Sequence, residues 1–371
     1  MLLVFGELFD MNRSNFLKLS ILGGLSGCSG VNIFDGQNYK NNKKTGFNVT
    51  PNVSICALKE LVGLGFRIFR VSFADGAIFD KNNPKNINEN AWEKLFKIIN
   101  FVIENDSTIV IDPHTYIGFS NKYTTHPRDK FWFDADIQNN FRCLWRSIFI
   151  RLSNFLPINA RNSVWVDFLN EPVHFRGGDK NLSWQFLAKN IAYDCHEFSE
   201  GIQIVLQPAR LVDSNGKYMS WRDSILSFKW VDDMRVIPSW HMYYPMELSH
   251  FGVFDTVRAN KNIVFPFTDS DGFVWSDDTI KFFLKDIVSF FIDSFGNSPY
   301  IGEFGASVFS GKYGDLYLSA LVRAFSILNL DWTFHSFREN AIWSPESAGK
   351  ENWSACKISQ SRRIDILKGV S

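Results

Sequence analysis

Long apolar runs are missing from most of this 371-residue chain. Beyond the first thirty residues no segment approaches the roughly 18 uninterrupted apolar residues of a membrane span, so the remainder is expected to be soluble. Cysteine is scarce: Cys28, Cys56, Cys143, Cys195 and Cys356 are scattered, with no CxxC pair and no metal-ligand spacing. Neither a zinc site nor a disulfide framework is indicated, and the thiols are expected to be buried rather than chemical. No metal and no cofactor is expected. An excess of one charge is absent too, 39 basic side chains balancing 39 acidic ones. With no basic stripe or polybasic tail, nothing calls for nucleic acid, and a neutral, polar ligand is electrostatically easier. Linkers, low-complexity tracts and repeats of 20 to 50 residues are also missing, which argues against an array or a second module.

What is present is apolar and aromatic. Hydrophobic residues make up 45% of the chain and aromatics 16%, ample for a core. Short β-branched or apolar runs alternate with longer segments of helical period. The strand candidates are 30–34, 67–73, 108–112, 163–169, 202–206, 235–240, 300–303 and 332–335. Between them apolar residues recur at i, i+3, i+4 and i+7 over 55–64, 90–103, 137–155, 184–198, 280–295 and 317–328, with a last helix near 358–367. Strand then helix, repeated to eight, predicts a single-domain (β/α)8 TIM barrel over 29–371. The fifth connection, 208–228, is its weakest link, because 220–228 makes a poor helix.

A leader of the targeting type is not part of a fold. From Met11, MNRSNFLKLSILGGLSGC supplies Arg13 and Lys18, a short apolar stretch, and small residues before Cys28. Leu25-Ser26-Gly27-Cys28 resembles a bacterial lipoprotein lipobox. Residues 1–28 are therefore either a lipoprotein-type signal, with export and a lipid anchor through Cys28, or a plain N-terminal arm compatible with the cytoplasm.

The strand ends carry the chemistry. VWVDFLNEPVHF is an apolar run that ends on Asn170, Glu171 and Pro172. In a barrel the strands are buried on both faces, and the active site sits where their C-terminal ends meet the following loops. Polar endings recur there: Arg70 on strand two, Asp112-Pro113-His114 on strand three, His241-Met242-Tyr243 on strand six and Gly302-Glu303 on strand seven. Ring closure would bring Glu171 and Glu303 face to face. Glycosidic cleavage requires such a pair, one carboxylic acid to protonate the leaving oxygen and one carboxylate to attack the anomeric carbon or activate water. Arg70 and the Tyr243 hydroxyl would keep Glu303 ionised. Glu171, stripped of water beside that charge, would hold its proton to near neutral pH. A lone NEP tripeptide arises by chance, and a carboxylate at a strand end is often only a helix cap. The weight lies in the set.

That set resembles glycoside hydrolase family 5, the cellulase and mannanase family of retaining (β/α)8 enzymes. GFRIFRVSF carries Arg70, IDPHTY carries His114, DFLNEP carries Asn170 and Glu171, WHMYYP carries His241 and Tyr243, and IGEFGA carries Glu303. The resemblance implies double displacement through a glycosyl-enzyme. Glu171 is then acid/base, Glu303 the nucleophile, Asn170 the partner of the sugar 2-hydroxyl, and His241 and Tyr243 the supports of acid and nucleophile respectively. Many members carry a tryptophan after strand eight that stacks under the sugar; here DWTFHSFREN aligns His335 with it, leaving Trp332 earlier and Trp343 later. Phe337-Arg338-Glu339 before Trp343 is similar to a branch with an FRE stretch before a tryptophan.

Loop aromatics complete the expectation. Tyr116, Phe119, Tyr123, Phe131 and Trp132 follow strand three, Tyr244 follows strand six, and Phe273 and Trp275 sit in FTDSDGFVWSDD. Trp132 and Trp275 are candidates to stack on pyranose faces, core packing being the alternative. The acidic residues Asp269, Asp271, Asp277 and Asp278 fit a solvated loop better than a calcium site. Three function classes follow: a monomeric retaining β-glycanase acting on a polysaccharide or oligosaccharide, endo-β-glucanase or β-mannanase like; a transglycosylase remodelling a glycan; and a non-hydrolytic carbohydrate-binding barrel, which would not need both carboxylates.

Overall fold

A computed structural model describes residues 43–369 apart from 75–76, 122–123, 229–234, 254–262, 347–352 and 355. The Cys28 leader, the candidate strand 30–34 and Tyr123 lie outside the described residues.

Eight parallel strands close into a barrel in sequence order. They are β1 (Thr45–Val49), β2 (Ile68–Ser72), β3 (Thr108–Asp112), β4 (Val164–Asp167), β5 (Gln203–Leu206), β6 (Val236–Met242), β7 (Tyr300–Phe304) and β8 (Trp332–Phe337). β1 corrects the expected strand at 30–34. In the TGFNV segment only Phe47 and Val49 carry large apolar side chains, so the local strand signal is weak. In the barrel Gly46 and Asn48 face inward, where a small residue and an amide are wanted.

The connecting helices are α1 (Ile55–Gly63), α2 (Glu89–Glu104), α3 (Ala135–Phe155), α4 (Trp184–Asp194), α5 (Trp221–Ser227), α6 (Asp277–Phe295), α7 (Gly311–Ile327) and α8 (Arg362–Leu367). Seven of them start where a side chain takes an orphan backbone N–H: Ser54, Asn88, Asp134, Ser183, Ser220, Ser276 and Ser361. α3 shows why the chain folds this way. Ile137, Phe141, Leu144, Trp145, Ile148, Phe149 and Leu152 recur at helical spacing and are all buried against the strands. The weak fifth connection does hold a helix, seven residues long.

Two apolar cores result. Outward-facing strand residues and the helices share the large one. Ile68, Val110, Trp165, Val205 and Tyr300 fill the inside of the barrel as a separate layer. Side chains alternate along a strand, so the residues two positions further on, Arg70, Asp112 and Asp167, also face inward, one layer nearer the C-terminal rim. The floor is apolar and the layer above it is charged. Beyond the barrel, Val173–Phe175 pairs in parallel with Arg210–Val212, and Phe267–Thr268 pairs antiparallel with Val274–Trp275.

One staple was not anticipated. Cys56 at the start of α1 and Cys356 after β8 form a disulfide, against the expectation of buried thiols. A separation of 300 residues leaves no local spacing by which to recognise it. Of the other described cysteines, Cys195 is buried and Cys143 exposed. No described helix is long and apolar enough to cross a membrane.

Candidate active site

Arg70 organises the charged layer. Its guanidinium donates to Asn48 Oδ1 at 3.0 Å, Glu303 Oε1 at 2.7 Å, Asn170 Oδ1 at 2.9 Å and Asp167 Oδ2 at 2.9 and 3.2 Å, and it lies 3.0 Å from Asp112 Oδ2. Arg70, Asp112 and Asp167 have no accessible side-chain surface, so the cation must be paired from every side. Burial opposes its charge, but Asp112, Asp167 and Glu303 together raise its pKa well above the ordinary value. The two aspartates separate. Burial would raise Asp112, yet Arg70 and His114 outweigh it and leave it lowered, whereas burial pushes Asp167 up to about 6 despite Arg70.

His114 sits on top of this pair. Its Nδ1 is 2.6 Å from Asp112 Oδ2, and its Nε2 is 3.4 Å from Asn170 Nδ2. Burial alone would lower the imidazole; the Asp112 carboxylate overrides it and raises His114 to about 8.

Glu171 is presented by a left-handed backbone, φ +40, a conformation that costs a non-glycine residue energy unless its surroundings hold it. The Glu171 N–H donates to Gln207 Oε1 at 3.2 Å, and its carbonyl accepts from Thr124 Oγ1 at 2.8 Å. This answers why the apolar run of β4 ends on an amide, a carboxylate and a proline: the turn lifts Glu171 onto the rim. Its side chain is 39% exposed, not the water-stripped carboxyl anticipated. Oε1 contacts His241 Nδ1 at 2.8 Å.

Across the barrel Glu303 is only 8% exposed at its side chain. A register shift at Gly302 brings it inward, and a Cβ on that glycine would lie 2.9 Å from His241 Nε2. Glu303 accepts from Arg70 through Oε1 and from the Tyr243 hydroxyl, 2.9 Å away, through Oε2. Burial would raise its pKa, yet His241, His335 and Arg70 outweigh it and hold Glu303 well below the usual carboxylate range. Burial and the Glu303 charge push the Tyr243 phenol well up, so it stays a donor. Ligand-type atoms of Glu171, His241 and Glu303 all lie within 4.8 Å of one another. They are the described residues whose chemistry and spacing fit an ion, but their carboxylates are already engaged by His241, Arg70 and Tyr243.

The structure thus brings together Arg70, His114, Asn170, Glu171, His241, Tyr243 and Glu303. His335 joins them, its Nδ1 3.8 Å from Glu303 Oε2, and Trp343 flanks it with ring centroids 5.7 Å apart. Three tryptophans do not join in the manner expected. Trp332 is buried on the outer face of β8, 5.2 Å from the Phe304 ring, because alternation sends Thr333 and His335 inward. Trp275 is buried against Phe283, and its Nε1 donates to Asp269 at 2.9 Å. Asp269 also takes the backbone N–H groups of Asp271 and Phe273, so that acidic loop satisfies itself. Trp132 is buried too; its ring lies 5.3 Å from that of His174 at a tilt of 53°, and both line a cavity of about 270 Å³ with Arg176 and Lys180. Tyr116 and Phe131 belong to the core.

Asn48, Asp167 and Gln207 are site residues that the sequence reading does not single out, and Asp112, read there only as a polar strand ending, is the partner of Arg70 and His114. Gln207 holds both the Glu171 N–H and Asp167, its Nε2 donating to Oδ2 at 3.1 Å. The period-two step from Val110 to Asp112 and from Trp165 to Asp167 was the available signal for the aspartates.

Comparison with known proteins agrees with this architecture. Among solved structures the chain resembles an endoglucanase (TM-score 0.65, 16% identity, 89% of this chain and 98% of the other). It also resembles Thermotoga maritima Cel5A in complex with mannotriose (0.65, 15%, 88% and 98%). A third is the cellulose synthase subunit Z of Clostridioides difficile (0.60, 15%, 88% and 99%). No curated protein matches the sequence. The family model for cellulase, glycosyl hydrolase family 5, matches residues 55–340. The chain is a glycoside hydrolase and belongs to glycosyl hydrolase family 5.

Proposed function

We propose that the chain is a retaining β-glycanase that cleaves a β-glucan or β-mannan by double displacement, with Glu303 as nucleophile and Glu171 as acid/base. One observation carries this reading: an oxygen of Glu171 and an oxygen of Glu303 lie within 4.8 Å of each other. Retaining enzymes place the two carboxyl groups about 5 to 5.5 Å apart, while inverting ones need about 6.5 to 9.5 Å to admit a water. The division of labour follows from the surroundings. Glu303, paired with Arg70 and Tyr243 and held ionised, is suited to attack the anomeric carbon. Glu171, rim-exposed and bonded to His241, is placed to give its proton to the leaving oxygen and then take one from water. Asn170, whose Oδ1 is fixed by Arg70, is assigned the sugar 2-hydroxyl.

The substrate class follows structural neighbours solved with mannotriose and with cellopentaose. Export is part of the same proposal. A disulfide such as Cys56–Cys356 persists in oxidising compartments and is rare in the cytosol, which supports reading residues 1–28 as an export signal. If Cys28 carries the lipid, residues 29–44 separate it in sequence from β1, not the one or two residues expected from a strand at 30–34. Metabolic labelling with a fatty acid analogue is expected to mark wild type and not Cys28→Ala.

Purified protein is to be assayed against β-glucan, β-mannan, xylan and bacterial exopolysaccharides by reducing-end release, with proton NMR of the first product. The β anomer is expected first. An α anomer appearing first would overturn the double displacement.

A further inference from the structure

His335 occupies the place at the end of β8 where the family resemblance expects a tryptophan, and an imidazole recognises a sugar differently from an indole. Its ring lies 6.5 Å from that of Tyr243, on the inward face of β8. Its Nδ1 is 3.8 Å from Glu303 Oε2 and also 3.8 Å from Glu339 Oε2. Arg338, in the left-handed region at φ +58, turns the chain so that Glu339 folds back beside the histidine. Glu339 Oε2 is closed to solvent and has no hydrogen-bond partner. Arg338 itself is turned away and clamped on Glu346 at 2.6 and 2.9 Å.

Two carboxylate oxygens facing one ring nitrogen decide which nitrogen carries the proton. A lone pair on Nδ1 would face two anions, whereas an N–H there is attracted by both. With Nδ1–H turned to the carboxylates, Nε2 is left for a ligand, an acceptor in the neutral ring and a donor in the imidazolium. The neighbouring His250 does not compete for this role. Burial, together with His335, pushes its pKa down to about 3, and its Nδ1 lies 3.0 Å from Ser249 Oγ.

We propose that His335 is a specificity-determining residue of this glycosidase, hydrogen-bonding through Nε2 to one hydroxyl of the sugar on the non-reducing side of the cleaved bond. Glu339 is the positioning residue that holds the ring with Nδ1 toward the carboxylates and Nε2 away from them. The inference rests on the glycosidase reading above. A stacked indole holds the apolar face of a pyranose with little regard for any one hydroxyl, whereas a directional bond rejects the sugar that lacks it.

Activated aryl β-glucosides and β-mannosides, each also prepared with the 3-, 4- or 6-hydroxyl replaced by hydrogen, test this. Wild type is compared with His335→Phe, His335→Gln and Glu339→Gln, with circular dichroism and thermal midpoints as folding controls. For wild type, one deoxy position is expected to lower kcat/KM about tenfold or more, a factor worth about 1.4 kcal/mol. His335→Phe is expected to lose that factor on the parent sugar and to show no further penalty on the deoxy one. His335→Gln, whose amide keeps a directional hydrogen-bonding group, should restore part of the discrimination, and Glu339→Gln should shrink it without abolishing turnover. An undiminished deoxy penalty in His335→Phe, or His335→Gln behaving as Phe does, overturns the inference while leaving the glycosidase standing. Should His335→Phe not fold, the glutamine and Glu339→Gln variants decide it by the same measurement. A wild type that cleaves no parent glycoside or polysaccharide overturns the glycosidase reading and this inference together.

Discussion

At the scale of single residues the two glutamates differ in what holds them, and that difference predicts unequal mutants. Glu303 must bond to carbon whatever the leaving group. Glu303→Ala is therefore expected to be nearly inactive on every substrate, while Arg70 keeps Asp112 and Asp167 and the fold survives. Glu171 is needed as acid only when the leaving oxygen is basic. Glu171→Ala should lose about 10²- to 10⁴-fold on a polysaccharide but still form the glycosyl-enzyme from an activated aryl glycoside. Azide, which needs no deprotonation, should then restore turnover and give a β-glycosyl azide, read by NMR; an α product would reverse the assignment. His114 yields a pH prediction. Its folded pKa is raised to about 8, so its charge contributes stability that is complete below about 6.5 and is lost as the pH rises through about 8. Denaturant midpoints at pH 6 and pH 9 should show wild type losing about 2 kcal/mol more than His114→Gln over that interval.

At the scale of elements, the barrel depends on close approach where strands meet and on caps where helices start. Gly46 of β1 has no room for a side chain: a Cβ there would lie 1.7 Å from the Ile68 carbonyl oxygen of β2. Gly46→Ala must separate the first two strands, and a loss of at least about 3 kcal/mol is expected in chemical denaturation. Ser276 is a gentler case. It caps α6 in a reciprocal arrangement with Thr279, so Ser276→Ala should cost only about 1 kcal/mol. The expected helices all exist, because an apolar face at 3.6-residue spacing is a local signal, but their ends shift where that face fades: α7 starts at Gly311 rather than 317, α4 ends at Asp194 rather than 198, and α8 starts at Arg362 rather than 358. The first strand was misplaced because Thr45–Val49 is short and half of its inward face, Asn48, is polar for a reason that lies on β2 and β7: its amide bridges Arg70 and the Gly302 carbonyl.

For the molecule as a whole, the Cys56–Cys356 disulfide ties the first helix to the segment that follows the last strand, closing the chain on itself around the barrel seam. A loop of this length removes much freedom from the unfolded chain, up to about 5 kcal/mol in the chain-entropy account. Reduction, or Cys356→Ser, should therefore lower the denaturation midpoint clearly. The active-site rim, held by β2, β4 and β7, should keep its activity at temperatures well below unfolding. If activity falls in step with reduction at low temperature, the staple shapes the site as well as the stability.

The alternation of strands and helices after the first strand, hence the barrel, and the polar residues at the strand ends, hence the chemistry, are legible in the chain alone because both are written in local periodicity and order. Which polar residues act together was set by the closing of the barrel. Asp112 and Asp167 become an Arg70 clamp because barrel closure stacks period-two positions of different strands into one layer, with Asn48 beside them. Trp332 and Trp275 become core, and His335 becomes part of the site, because the parity of a strand and the packing of a loop choose the direction of a side chain. Cysteines 300 positions apart can be paired only by the ring that brings the first helix and the last segment side by side.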